Sequence, residues 1–283
     1  MAEPTTLAPV HEPATERRGA LSPYRAVLAS RIRAQRSYKA NFRLDLFSSL
    51  LIGLIELAES WVLFHNVHEL GGLTFVQVLL VFGLADLPFS LADLAFGHCD
   101  NLPTYLRAGT LDVFYLRPQP LLLQLISSDI SLRRLARGLV GIASITVAIS
   151  INDVHWSVAT VFLLIISAIS AFFISAGMFV WAGGIQFFLI SGAEMTNAFV
   201  YGGRYASTQP AAVWSRPLKL IFGFLFPMAF TAYLPSLVLL DLPGPEWLPS
   251  WLAWCSPLAA IWTWVMALTC WRWGVRHYQG GGG

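Results

Sequence analysis

The chain has 283 residues, 56% of them hydrophobic and only 12% charged, with a mean hydropathy of +0.61. Soluble domains carry about a quarter charged residues, so this balance excludes a soluble globular protein and leaves no room for a sizeable soluble domain. The formal net charge of +2 says little by itself and asks for no nucleic-acid partner; where the charges sit says more.

Residues 1–21 are polar, contain Pro4, Pro9 and Pro13, and lack an apolar core segment. They read as a disordered cytoplasmic tail without a cleaved signal peptide. From Ser22 the pattern changes, with Ser22 placed to cap a helix and Pro23 to open it. Tyr24, Leu28, Ile32, Tyr38 and Phe42 then recur at near-helical spacing, and Arg25, Arg31, Arg33, Arg36, Lys39 and Arg43 fill other positions. This predicts a basic amphipathic helix over residues 22–45, lying along a membrane surface.

Residues 46–283 then hold six stretches able to cross a bilayer core, which takes about 20 apolar helical residues. They run Leu46 to Asn66, Leu73 to Phe96, Ala136 to Ile151, Ser157 towards Ile190, Leu218 to Leu240 and Pro257 to Trp273. The fourth is too long for one straight span, and Gly177, Gly183 and Gly184 are its natural break points. The fold class expected is therefore an all-α integral membrane protein with six transmembrane helices. With both termini inside, all 18 Lys and Arg fall on the cytoplasmic side, in loops or at helix ends. The outer loops carry Glu69, Asp153, Asp241 and Glu246. That distribution obeys the positive-inside rule; the location expected is a plasma (inner) membrane, with both termini cytoplasmic.

The last outer loop, DLPGPEWLPSWLAWCS, spaces Trp247, Trp251 and Trp254 three to four residues apart. A short interfacial or re-entrant helix before the sixth span fits this spacing, as does an ordinary aromatic belt. No internal repeat is visible, which removes the usual cue for a secondary transporter. Cys99, Cys255 and Cys270 are too scattered for a disulfide framework.

Glu56 and Glu59 share one face of the first span, and Asp86 and Asp93 one face of the second. A charge at the bilayer centre costs about 2.5–3.5 kcal/mol on insertion scales. These acids must therefore face protein, water or one another. With every basic residue assigned to a loop or helix end, none is expected to neutralise Glu56, and Asp93 is expected near Arg107. Two readings stand: the acids line a hydrated or cation-binding path, or they hydrogen-bond to neighbouring helices. Pro88, Pro227 and Pro235 permit kinks in their spans. His65, His68 and Glu69 have spacing compatible with a metal site, as does the His98-Cys99-Asp100 group. The first also reads as hydrated histidines at an outer interface and the second as a polar exit from the membrane, and no metal site is assigned. No phosphate-binding loop, HExxH, GxSxG or CxxC occurs, so no catalytic residue is assigned.

Between the second and third spans lies NLPTYLRAGTLDVFYLRPQP, Asn101 to Pro120. Tyr105, Leu106, Leu111, Phe114 and Tyr115 offer an apolar surface flanked by Arg107 and Arg117, suited to a groove on a soluble partner. The run LRAGTLDVFYLRPQP resembles the G-x-L-D-x-x-x-x-[RK]-P stretch of ABC-2 type transporter permeases. FPMAFTAYLPS, Phe226 to Ser236, is similar to that family's Pro-containing fifth span. Trp273 to Gly280 resembles its closing G-x-x-x-Y-x-x-x-G pattern.

The resemblance implies a permease subunit of an ATP-driven exporter, non-enzymatic by itself, with a coupling helix between spans two and three. It implies a pair of ATP-binding cassette subunits, which carry the ATP and Mg, and a second related permease in the membrane lipids. Tyr105, Leu106, Arg107, Leu111 and Asp112, with Arg31 and Arg36, would contact the ATPase. Glu56, Glu59, Asp86, Asp93, Phe226 and Tyr233 would lie along the substrate path. The alternative class is a non-transporting membrane scaffold or a lipid-modifying membrane enzyme.

Overall fold

A computed structural model describes Ala29, Ser30, Arg33, residues 39–189 and residues 192–280. The expected tail and most of the interfacial helix, Arg31 and Arg36 included, lie outside the described residues. What is described is helical, with no strand among the described residues.

Helix α1 spans Lys39–Asn66 and runs through the expected boundary near residue 45 without a break. It is apolar almost all round, so little of it finds protein: Leu44, Phe47, Leu51, Ile55, Trp61 and Val62 are exposed. Helix α2, Phe75–Phe96, opens where the Gln77 side chain accepts a hydrogen bond from the Thr74 backbone N–H at 2.9 Å. It is buried on nearly every side and forms the axis of the bundle.

Three short helices follow, α3 (Leu102–Arg107), α4 (Asp112–Tyr115) and α5 (Leu121–Ser128). Helix α6, Arg134–Ile151, runs back against α2. Helix α7, Val158–Gln186, begins where Ser157 Oγ accepts the Thr160 N–H at 3.1 Å. Helix α12, Ser256–His277, closes the bundle beside α7. Among the described residues, five helical stretches are long and apolar enough to cross a membrane, and a bent pair makes up to six.

The helices touch through small residues, since between apolar surfaces in lipid close packing is the main attraction. A Cβ on Gly83 would sit 2.8 Å from Gly141 O and 2.6 Å from the Ile145 side chain. A Cβ on Gly184 would sit 2.7 Å from Trp271 N, and one on Gly274 would sit 2.6 Å from Gly184 O. The latter two lock α7 to α12 backbone to backbone. Gly177, Gly183 and Gly184, expected as breaks, instead lie inside a continuous α7 and serve as contact points.

The stretch expected as a single fifth span differs. Arg216–Leu225 and Met228–Leu239 form two pieces bent by 66°. They comprise α10 (Arg216–Leu220), a π turn, a short 3₁₀ turn and α11 (Tyr233–Leu239). The preceding residues run along the bundle, with α8 (Gly192–Thr196) and α9 (Gly202–Ser207) joined by the π turn Asn197–Tyr201.

That segment starts beside the end of α7, where Gln186 Nε2 donates to Thr196 Oγ1 at 2.6 Å. It passes Asp86 at mid-helix through Arg204. It ends beside the α1–α2 turn, where a Cβ on Gly71 would lie 3.0 Å from the Ala212 Cβ. The bent pair then dips in: Phe222 and Met228 close on Gly203, at 3.1 and 3.3 Å from where its Cβ would be. It returns, with Phe230 O accepting from Ser256 Oγ at the start of α12 at 3.2 Å. Arg216 and Lys219 thus belong to the Gly71 end of the bundle, with Lys219 Nζ over the Trp247 ring at 5.0 Å.

Gly184→Val is expected to destabilise the protein by about 1–3 kcal/mol, the usual cost of overpacking a close contact, read as a lowered melting temperature. Gly138→Ala is expected to be nearly neutral, because its added carbon meets nothing closer than 3.4 Å. Equal melting of both variants would contradict the close α7–α12 approach.

Candidate functional site

Four acids in the spans demanded partners, and three have them. Arg204 lies with its side chain 4% exposed between α1 and α2. Its Nη1 donates to Glu56 Oε1 at 2.9 Å and its Nη2 to Glu56 Oε2 at 2.5 Å. Its Nε donates to Asp86 Oδ1 at 3.2 Å, and Nη2 also contacts that oxygen. The Phe89 ring lies 5.4 Å from the guanidinium carbon. A planar fork of donors suits this bidentate grip in a way an ammonium would not.

This corrects the expectation that no cation reaches Glu56. Arg204 belongs to α9, which lies alongside α2, not to a cytoplasmic loop. Asp93 pairs with Arg134, whose Nε lies 3.2 Å from Oδ2 and whose Nη1 donates to the Asp93 carbonyl at 2.5 Å; it does not pair with Arg107. Glu59 stands apart: it is exposed on α1 and makes no hydrogen bond or ion pair among the described residues.

Phe226 and Tyr233, expected along a path, are each only 2% exposed. Phe226 packs on Trp181 and Phe199 at ring distances of 4.6 and 5.5 Å. The four acids and two aromatics therefore do not converge on one opening. Glu56 and Asp86 are brought together by Arg204, and the rest are spread through the bundle. Reading the chain locally missed Arg204 and Arg134; the one available signal was the surplus of intramembrane acids, which required cations from somewhere.

The second place of interest is the hairpin of α3, α4 and α5 at the Asp100 end. Gly109 takes φ of +65°, which permits the reversal between α3 and α4. The Thr110 N–H closes it onto Tyr105 O at 3.1 Å. Leu111, in the first turn after it, is fully buried; contrary to the expectation that it faces a partner, it pins the hairpin to the bundle.

Tyr105 is half-buried, hydrogen-bonded to His98 Nε2 at 3.0 Å and edge-on to Phe114 at 5.3 Å. His98 is thus used to hold the hairpin. Gln124 Nε2 donates to Phe114 O and Gln119 O at 3.0 and 2.7 Å, fastening α5 to α4. From the far end of the chain, Tyr278 Oη donates to Asp112 Oδ1 at 3.0 Å, and its ring stacks on Tyr115 at 5.8 Å. Burial, then the hydrogen bond and charge of Asp112, push the Tyr278 phenol up to about 12. Arg107, Asp112, Val113, Tyr115, Leu116 and Arg117 remain exposed, with Leu116 the most open at 84%. Leu106 is half-buried behind them.

So the geometry comprises a multi-pass helical bundle, a buried ion cluster and a rigid hairpin presented at one end. Residues 50–282 match the family described as ABC-2 family transporter protein. The chain belongs to the ABC-2 transporter family. No curated protein and no solved structure matches it. An ABC-2 permease is a membrane transport component that is generally non-catalytic and generally works with ATP-binding subunits.

Arg204→Leu is expected to destabilise this permease by about 3–5 kcal/mol, since removing one partner leaves buried carboxylates unpaired. Adding Glu56→Gln and Asp86→Asn to that variant is expected to recover part of the loss. Thermal unfolding of the purified protein checks both, and additive losses in the triple variant would deny the coupling.

Proposed function

We propose that this chain is the membrane subunit of an ATP-driven exporter. It pairs with a second, related permease and is driven by two ATP-binding subunits that hold the ATP and Mg. The single observation that carries this reading is the hairpin: an exposed face held rigidly to α2 and to the end of α12. An apolar and basic face of this kind suits a groove on a soluble partner, and a rigid mount lets a push on it move both helices. Arg107, Asp112, Val113, Leu116 and Arg117 are the contact residues in this reading, with Tyr105, Leu106 and Leu111 setting their geometry. Arg31 and Arg36 would add to the contact from the interfacial helix over residues 22–45.

The second permease would cover α1, whose apolar side is otherwise left to lipid. Glu59 would then face the shared path, with Glu56, Asp86 and Asp93 held behind it in ion pairs. Both termini and the hairpin would lie in the cytoplasm, with the chain in a plasma membrane. The bent pair would open to the opposite side, together with Arg216 and Lys219. That placement keeps the remaining basic loops inside and so respects the positive-inside bias.

In the assembled complex, Arg107→Glu and Leu116→Asp are each expected to reduce coupled ATPase activity severalfold without changing the yield of folded permease. Unchanged ATPase in both variants would remove the hairpin from the contact. With the three native cysteines replaced, Arg117→Cys and Arg216→Cys are expected to react with an impermeant thiol reagent from opposite faces of sealed vesicles. Labelling from the same face would refute the proposed topology.

A further inference from the structure

Where α1, α2 and α6 converge at the Asp100 end there is a polar cavity of about 200 Å³. Its walls are Ser49 and Ile52 of α1, Ser90 and Asp93 of α2, Arg133 beside Arg134 and Arg137 of α6, and Tyr201. The charges do not balance: three guanidinium groups face one carboxylate. That carboxylate is engaged by Arg134, and the Tyr201 hydroxyl donates away to Asp100 Oδ2 at 2.7 Å. Arg133 Nε is turned to Ser131 Oγ at 3.1 Å. Arg137 makes no ion pair among the described residues, and its Nε is buried without a hydrogen-bond partner.

A second observation points the same way. Ser90 is 2% exposed, lines the cavity, and its Oγ is also without a partner. Buried polar groups are nearly always satisfied, so an unmatched hydroxyl and an unmatched guanidinium Nε–H on one small cavity mark the place of an absent acceptor. The first turn of α6 adds the positive end of an 18-residue helix. Asp93 Oδ1, buried and also unpartnered, sits on the opposing wall, where it disfavours a bare anion and favours one that brings a hydroxyl or water with it.

We propose that this cavity binds a phosphate group, and that the phosphate is the headgroup of an anionic phospholipid. At about 30 Å³ per water, the space is that of roughly seven waters, enough for one phosphodiester with part of its alcohol. Its rim holds Ile52, which is 45% exposed and continues into the exposed Leu51 and Ile55 face of α1, where acyl chains would lie. Basic pockets between spans on the cytoplasmic side are suited to such headgroups. The site is separate from the hairpin and does not depend on the exporter reading.

The test uses the full chain purified in a neutral detergent, with short-chain phosphatidylglycerol, short-chain phosphatidylcholine and inorganic phosphate as probes, read by native mass spectrometry and thermal shift. Phosphatidylglycerol is expected to bind at least tenfold tighter than phosphatidylcholine and to raise the melting temperature. Arg137→Gln and Arg133→Gln are expected to weaken that binding about tenfold or more, in line with losing a charge-assisted hydrogen bond. Ser90→Ala is expected to weaken it severalfold while leaving the unliganded melting temperature unchanged, which separates loss of the site from loss of the fold. Equal affinity for both lipids, or binding indifferent to all three variants, would overturn the proposal. Inorganic phosphate binding with the same arginine dependence, where the lipid fails to compete, would support a phosphate site and reject the lipid as its source.

Discussion

A guanidinium shared by two carboxylates inside an apolar bundle is the constraint on which the rest of this structure depends. Glu56, Asp86 and Arg204 come from three chain segments, and none could be left alone without a desolvation cost of several kcal/mol. Meeting in one cluster, they draw α9 against α2 and fix where α1 leans. The position of α9 then determines the rest of that side of the bundle. Gly203, next to Arg204, is the surface on which Phe222 and Met228 close, so the bent pair has its depth set by the same segment. Whether a buried ion pair adds net stability over apolar residues is a separate matter; here its effect is to specify one arrangement of helices.

The hairpin obeys a different logic, because it lies where water is available and its polar groups need not be buried. It is held by aromatic contacts and by hydrogen bonds that reach across the chain: Tyr105 to His98 and Phe114, Gln124 to the backbone of α4, and Tyr278 to Asp112. The last of these links residues 166 positions apart. A short helical hairpin is too small to be stable by itself. Its rigidity is borrowed from α2 on one side and from the α7–α12 seam on the other, through Phe187, which packs on both Trp271 and Tyr278. The hairpin is therefore tied to several helices of the bundle and not to one loop.

The cavity beside Arg137 and the cluster around Arg204 are two answers to the same problem. In the cluster, charges of opposite sign are matched within the chain. In the cavity, three guanidinium groups face one carboxylate, and in the proposed reading a lipid phosphate supplies the missing charge.

Composition and hydropathy by themselves determined that the chain is a helical membrane protein, and they located α2, α6, α7 and α12 within a few residues and the end of α1, whose start lies seven residues before the expected Leu46. Those features are legible because an apolar window of spanning length has few other uses in water. The aromatic and basic pattern of residues 101–120 likewise marked a surface for a soluble partner, expected as one short helix; the reversal at Gly109 that makes it a hairpin came from the structure. The helical segment over residues 192–213 was hidden because it is interrupted by a π turn and carries Arg204 and polar residues near its end. The more apolar stretch that follows looked like one straight span and is instead two pieces bent by 66°. Only the tertiary structure decided that Arg204 meets Glu56 and Asp86, that Arg134 meets Asp93, and that Leu111 faces inward. The partners of Arg204 lie 148 and 118 positions away; a contact made across such distances leaves no periodicity in the chain, because its energy arises only once the helices have packed.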